Sequence, residues 1–191
     1  MKKTLCLVLS LIFILFSFET YATENEITAS FVAEDGDSWE LYSDGTLYVS
    51  GAEEFSGNYI FFNLQKDSVR KIVVNEGITA LGYSCFSDFS QMEEILLPGS
   101  LKEIGYQSFY NCSSLKEADL SDVSYVDGFA FSGCSALEKV YLGKNLETLG
   151  YLVFEECIAL EEINFAHTFE DFLRQNIYCD SYNFPKDCRI T

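Results

Sequence analysis

The sequence predicts an α/β repeat fold: a right-handed solenoid with a parallel β-sheet, short helical turns and an N-terminal β-hairpin cap. Three observations predict it. Apolar residues return every 22 or 23 residues, an aromatic returns once in each period, and a hairpin signal precedes the first period.

The period is read on Val69, Met92, Leu115, Leu137 and Leu160, which open VRKIVV, MEEILL, LKEADL, LEKVYL and LEEINF. Each segment is apolar at its first, fourth and sixth positions. A second apolar pair follows (Ile78 and Leu81, Leu101 and Ile104, Val123 and Val126, Leu146 and Leu149), then Phe86, Phe109, Phe131 or Phe154. In the fifth copy Phe169 and Phe172 keep the pair and Ile177 takes the aromatic column. A repeat of 20 to 29 residues with leucines at these offsets marks a leucine-rich-repeat solenoid. One coil cannot bury its own apolar side, whereas stacked coils share a continuous core.

Within a coil, Ile72–Val74 and its counterparts alternate and predict a short strand of a parallel sheet. LKEIG and LETLG predict a second short strand. SCFSDF, QSFYNC and LVFEEC space apolar residues by three, which predicts a helical turn. Gly82, Gly105 and Gly150 share a corner column with Asp127, where a positive φ is expected. Ahead of the repeats, SWELYSDGTLYVSG predicts two strands around Asp44-Gly45, a type I′ signal, and this hairpin is expected to cap the stack.

Domain boundaries follow. Residues 1–22 read as a secretory signal peptide: Lys2 and Lys3 precede the apolar run Leu5–Phe18, and Thr20-Tyr21-Ala22 offers a cleavage site after Ala22. Residues 23–68 form the N-terminal cap with its hairpin, 69–166 the repeats, and 167–191 a last partial repeat with a C-terminal cap. No second hydrophobic stretch is present, so no membrane span is expected in the mature chain. The 30 acidic against 12 basic residues give a formal charge of −18, which repels phosphate backbones and argues against nucleic acid.

The repeat MEEILLPGSLKEIGYQSFYNCSSL resembles the consensus of the BspA-like leucine-rich-repeat family, "L..I.LP.sL..IG..AF..C.S". The W-x-L…DGTL…SG hairpin also resembles the segment that opens many members. The resemblance covers Ser38 to Phe165 and departs at Phe89, Ala118 and Asp180. It implies a secreted or surface binding protein, in some members adhesive, with no shared catalytic residue and no cofactor.

Candidate sites are weighed against packing. Cys112, Cys134 and Cys157 share a column with Phe89, and a position accepting Cys or Phe reads as core. Cys85 falls among Ser108, Ala130 and Val153 and reads as another small packed residue. Cys179 and Cys188 stand outside the register in a chain expected to be exported, and form a candidate disulfide with free thiols as the alternative. His167 has no triad context. Glu34–Ser38 lacks the full spacing of a calcium loop and reads as a solvated turn. No catalytic or metal site is expected.

The outward strand positions are the candidate protein-binding face. They form the columns Lys71, Glu94, Glu117, Lys139, Glu162 and Val73, Leu96, Asp119, Tyr141, Asn164. Apolar and aromatic side chains framed by charge suit an interface, and β-propensity alone is the competing account. The expected partner is an extracellular or host-surface protein. A glycan on the tyrosine column Tyr83, Tyr106 and Tyr151 is the alternative, and a hydrolase ranks last.

Overall fold

The computed structural model describes residues 25–34, 36–56, 66–166 and 188–191. Parallel strands stack coil upon coil into a β-solenoid of about five turns. One side carries β3 (Thr46–Ser50), β5 (Lys71–Val74), β7 (Glu94–Leu96), β9 (Glu117–Leu120), β11 (Lys139–Leu142), β13 (Glu162–Phe165) and β14 (Arg189–Ile190). β3, β5 and β7 pair in order, as do β9, β11, β13 and β14. Between the two runs the Lys116 amide donates to the Glu93 carbonyl, 3.4 Å away. The second side is the parallel sheet of β4 (Glu53–Phe55), β6 (Ile78–Leu81), β8 (Glu103–Ile104), β10 (Tyr125–Val126) and β12 (Thr148–Leu149).

The strands form where the repeat places alternating apolar residues. Leu47, Ile72 and Ile95 are in register, as are Ala118, Val140 and Ile163, and all six are buried. On the second sheet Leu81, Ile104, Val126 and Leu149 make the matching inward column. Between the sheets runs a file of stacked rings. Phe55 meets Phe86 at 5.8 Å, Phe86 meets Phe109 at 5.5 Å, Phe109 meets Phe131 at 5.0 Å, and Phe131 meets Phe154 at 5.9 Å. Each ring buries a large apolar area and gains further from offset stacking.

The third side of the coil is not a helical turn. Segments such as Tyr106–Asn111 spend alternate amides on the neighbouring coil. Phe109 N–H donates to Ala130 C=O (2.8 Å) and Asn111 N–H to Ser132 C=O (2.9 Å). The amides between them close local turns: Tyr110 N–H donates to Gln107 C=O (3.1 Å) and Cys112 N–H to Phe109 C=O (3.3 Å). A helix would keep those amides for the carbonyl four residues back. Ser84, Gln107, Phe129 and Leu152 hold positive φ at one position of this segment, and Asp88, Asn111, Gly133 and Glu156 at another. The three-residue apolar spacing therefore reflects a chain of tight turns bonded from coil to coil.

The corner glycines are also explained differently. Gly82, Gly105 and Gly150 do not have positive φ. A β-carbon on Gly105 would lie 2.6 Å from the Leu81 carbonyl oxygen, and one on Gly150 would run into the Gly128 nitrogen. Close approach of adjacent backbones selects glycine there.

At the N-terminal edge, β1 (Ile27–Val32) and β2 (Ser38–Tyr42) extend the first sheet in antiparallel fashion, and β2 pairs with β3. Trp39, Leu41, Leu47 and Val49 turn their side chains into the core. The hairpin is not type I′. Gly45 N–H donates to Tyr42 C=O (3.0 Å), and of these turn residues Gly45 alone has positive φ, as in a turn closed by a glycine bulge. Among the described residues no helix is long and apolar enough to cross a membrane.

Candidate functional site

The outward positions of the first side line up as expected. Lys71 faces Glu94 and Val73 faces Leu96 across β5 and β7. Lys139 stands between Glu117 and Glu162, and Tyr141 between Asp119 and Asn164. All ten candidate residues are exposed or half-buried, while the residues alternating with them are buried, except Leu97 and Phe165, which are half-buried against the core. Leu96 is 45% exposed, although nothing in the core requires a leucine there.

The charged row is largely self-compensated. Lys71 Nζ lies 3.0 Å from Glu94 Oε2, and Lys139 Nζ lies 3.9 Å from Glu162 Oε2. Exposed pairs of this kind stabilise by only about 0–1 kcal/mol. They offset two of the row's three carboxylates and leave Glu117 with no ion pair among the described residues. Asp119 interrupts the apolar row, and its carboxylate accepts from the amide of Ser121 (3.0 Å) and from its hydroxyl. Val73 and Leu96 thus lie on one side of Asp119 and Tyr141 on the other.

The row continues onto the hairpin, which the repeat alignment did not reach. Tyr48 pairs with Val73, and Glu40 with Tyr48. Tyr42 packs edge-on against Tyr48, centroids 5.3 Å apart at 72°. The signal was the alternation of TLYVS itself, which places Tyr48 in the Val73 column once β3 is read as a coil strand. A pocket of about 310 Å³ opens on this face beside Glu40, Tyr42, Tyr48 and Asn75.

The tyrosine column has a different character. Tyr83 and Tyr106 stack at 5.5 Å with planes 12° apart, so each spends a ring face on the other. The third coil has Gly128 in the column, and Phe129 fills in, edge-on to Tyr106 (5.7 Å) and to Tyr151 (5.0 Å). Tyr151 leans over Gly128, where a β-carbon would lie 2.8 Å from Cε1. These contacts cover the turn, while Tyr83 and Tyr151 remain exposed. Sequence spacing missed Phe129 because it sits one position out of the column.

The cysteine column is core. Cys112, Cys134 and Cys157 are buried, and each thiol donates to a carbonyl of the preceding coil, those of Phe86, Phe109 and Phe131, at 3.2 Å in every case. Burial pushes the thiols of Cys85, Cys134 and Cys157 up, that of Cys157 to about 12. A nucleophile needs the opposite shift. Among the described residues no group of three or more His, Cys, Asp or Glu side chains converges as for a metal ion. In Glu34–Ser38, Asp37 is buried, not solvated, and accepts from the Ser56 amide at 3.4 Å. Asp35, His167 and Cys179 lie outside the described residues. Cys188 is half-buried and packed against the end of the core.

Stacked parallel strands, a phenylalanine file and an ordered outer row define a leucine-rich-repeat solenoid presenting a sheet face. The BspA type leucine-rich repeat region matches residues 56–184 in six copies, and the chain belongs to that family. Among solved structures, a leucine-rich repeat protein from Eubacterium ventriosum is similar at 18% identity and TM-score 0.57, over 81% of this chain and 45% of its own. One from Bacteroides ovatus is similar at 19% identity and TM-score 0.53, over 76% of this chain and 41% of its own. The pneumococcal vaccine antigen PcpA is similar at 22% identity and TM-score 0.57, over 84% of this chain and 42% of its own. The chain thus corresponds to less than half the length of these structures. No curated protein matches it.

Proposed function

We propose that the chain is a secreted or cell-surface binding protein, adhesin-like and non-enzymatic, which contacts an extracellular or host protein through the outer face of its first sheet. The observation that carries this reading is the row Tyr48, Val73, Leu96, Asp119, Tyr141 and Asn164. It holds exposed or half-buried apolar and aromatic side chains on a sheet, flanked by the Lys71–Glu94 and Lys139–Glu162 ion pairs. Interfaces combine such a core with a polar rim. Strand spacing of about 4.8 Å spreads the row over roughly 24 Å, enough to engage a protein surface. Family membership supports binding over catalysis. The signal peptide, the right-handed winding and the capping role of the hairpin belong to the same reading.

The test is the pair of substitutions Leu96→Asp and Tyr141→Asp. The wild-type mature chain is used to capture a partner from host and cell-surface extracts, and binding of the double variant to that purified partner is measured. Binding is expected to be lost with the melting temperature unchanged. Unchanged binding rules out this face.

A further inference from the structure

We propose that the pocket at the hairpin end of the sheet face receives an arginine side chain of the protein partner. This deepens the sheet-face reading and rests on it. Ser38, Glu40, Tyr42, Tyr48, Ser50 and Asn75 contribute to its lining, and Tyr48 leads directly onto Val73 and Leu96.

The lining is suited to a flat cation. The Glu40 carboxylate accepts from the Tyr42 hydroxyl at 3.2 Å and, among the described residues, has no lysine or arginine beside it. Glu94 on the same sheet has such a partner, as does Glu162 farther along this side, whereas Glu117 has none among the described residues. A guanidinium can bond a carboxylate through two parallel N–H groups and still stack on an aromatic face. Tyr42 and Tyr48 meet edge to face, so their rings wall the pocket without covering each other completely. The Asn75 amide nitrogen donates to Ser50 Oγ at 2.8 Å, which orients the amide and leaves its carbonyl oxygen as an acceptor for a remaining N–H.

Charge selects the same occupant. With a formal charge of −18 the chain attracts cations over long range and repels anions. Glu40 would lie against the charge of an acidic side chain, phosphate or acidic sugar. Lysine would be drawn to the same carboxylate but has no planar fork to match it. Arginine is among the residues enriched at binding hot spots, which sit in well-packed pockets.

The test uses the folded mature chain and N-acetyl-arginine amide, followed through backbone amide signals by NMR. Saturable shifts are expected at Glu40, Tyr48 and Asn75. Glu40→Gln should weaken them about tenfold, the scale of losing a charge-assisted hydrogen bond. The neutral isostere N-acetyl-citrulline amide should weaken them similarly. No saturable shift, equal binding of the citrulline compound, or the same shifts with a neutral methyl glycoside would overturn the proposal. The two readings separate cleanly. If the Leu96→Asp, Tyr141→Asp variant loses the captured partner while Glu40→Gln changes neither partner nor arginine binding, the pocket assignment fails and the face stands. If arginine binds as expected and the double variant keeps its partner, the face fails.

Discussion

The thiol of Cys134 donates to the carbonyl of Phe109 across one coil boundary, 3.2 Å away. Cys112 and Cys157 repeat the contact with Phe86 and Phe131. Cysteine in this column therefore fills space and supplies a second donor to a buried carbonyl, which Phe89 in the first copy cannot do. Thiols buried in apolar surroundings are inert. Cys85, Cys112, Cys134 and Cys157 should resist an alkylating reagent at about pH 8 in the native protein and react together in denaturant. Rapid native labelling of Cys134 would contradict the buried ladder. The denatured, unreduced sample tests the Cys179–Cys188 bridge as well. Six labelled cysteines in a mature chain lacking Cys6 would exclude it.

The phenylalanine file predicts a steep cost for interruption. Phe109 touches a ring on each side, at 5.5 and 5.0 Å. Phe109→Ala removes both contacts and leaves a cavity in mid-stack. Destabilisation of about 3–5 kcal/mol is expected, read from urea unfolding. A loss below about 1 kcal/mol would mean that the coils close over the gap.

Two glycine substitutions separate backbone approach from side-chain approach. Gly150→Ala drives a β-carbon into the backbone of Asp127 and Gly128, and should destabilise by about 1–3 kcal/mol. Gly128→Ala meets only the Tyr151 ring, which can swing aside. The stiffer unfolded chain offsets that displacement by about 0.4–1 kcal/mol, so stability should stay near wild type. The tyrosine near-ultraviolet dichroism should change instead. Equal destabilisation by the two variants would contradict this account.

The hairpin turn gives a pH prediction. The Asp44 carboxylate accepts from the Thr46 amide at 2.8 Å and from Asn25 Nδ2 at 2.7 Å, and the Thr46 amide chiefly holds its pKa below the ordinary value. A depressed native pKa means stability that is present above the unfolded value of about 3.9 and lost as pH falls through the native one. Wild type should lose more stability than Asp44→Asn on acidification through that window, measured by thermal melts. Parallel acid curves would remove Asp44 from the turn's energetics.

Much of the architecture was legible because inward positions follow a strict period. Ile72, Ile95, Val140 and Ile163 are buried where their spacing placed them, and their outward neighbours face solvent. What spacing could not reveal depends on hydrogen bonds and approach distances. Apolar residues three apart suit a helical turn and a chain of tight turns equally, and the coil-to-coil amides of Phe109 and Asn111 decide between them. A glycine column fits positive φ and close packing alike, and only the distance from Gly150 to Gly128 separates these. The face was legible as two columns. The pairing of Lys71 with Glu94, the turning of Asp119 to Ser121, and the extension to Tyr48 and Glu40 depend on side-chain geometry and a strand outside the counted repeats.

The most direct test of the central claim is the affinity of the Leu96→Asp, Tyr141→Asp variant for the captured partner, measured by surface plasmon resonance beside a thermal melt. The account predicts at least a tenfold loss of affinity, about 1.4 kcal/mol or more, with an unshifted melt. Wild-type affinity in the folded variant would contradict it.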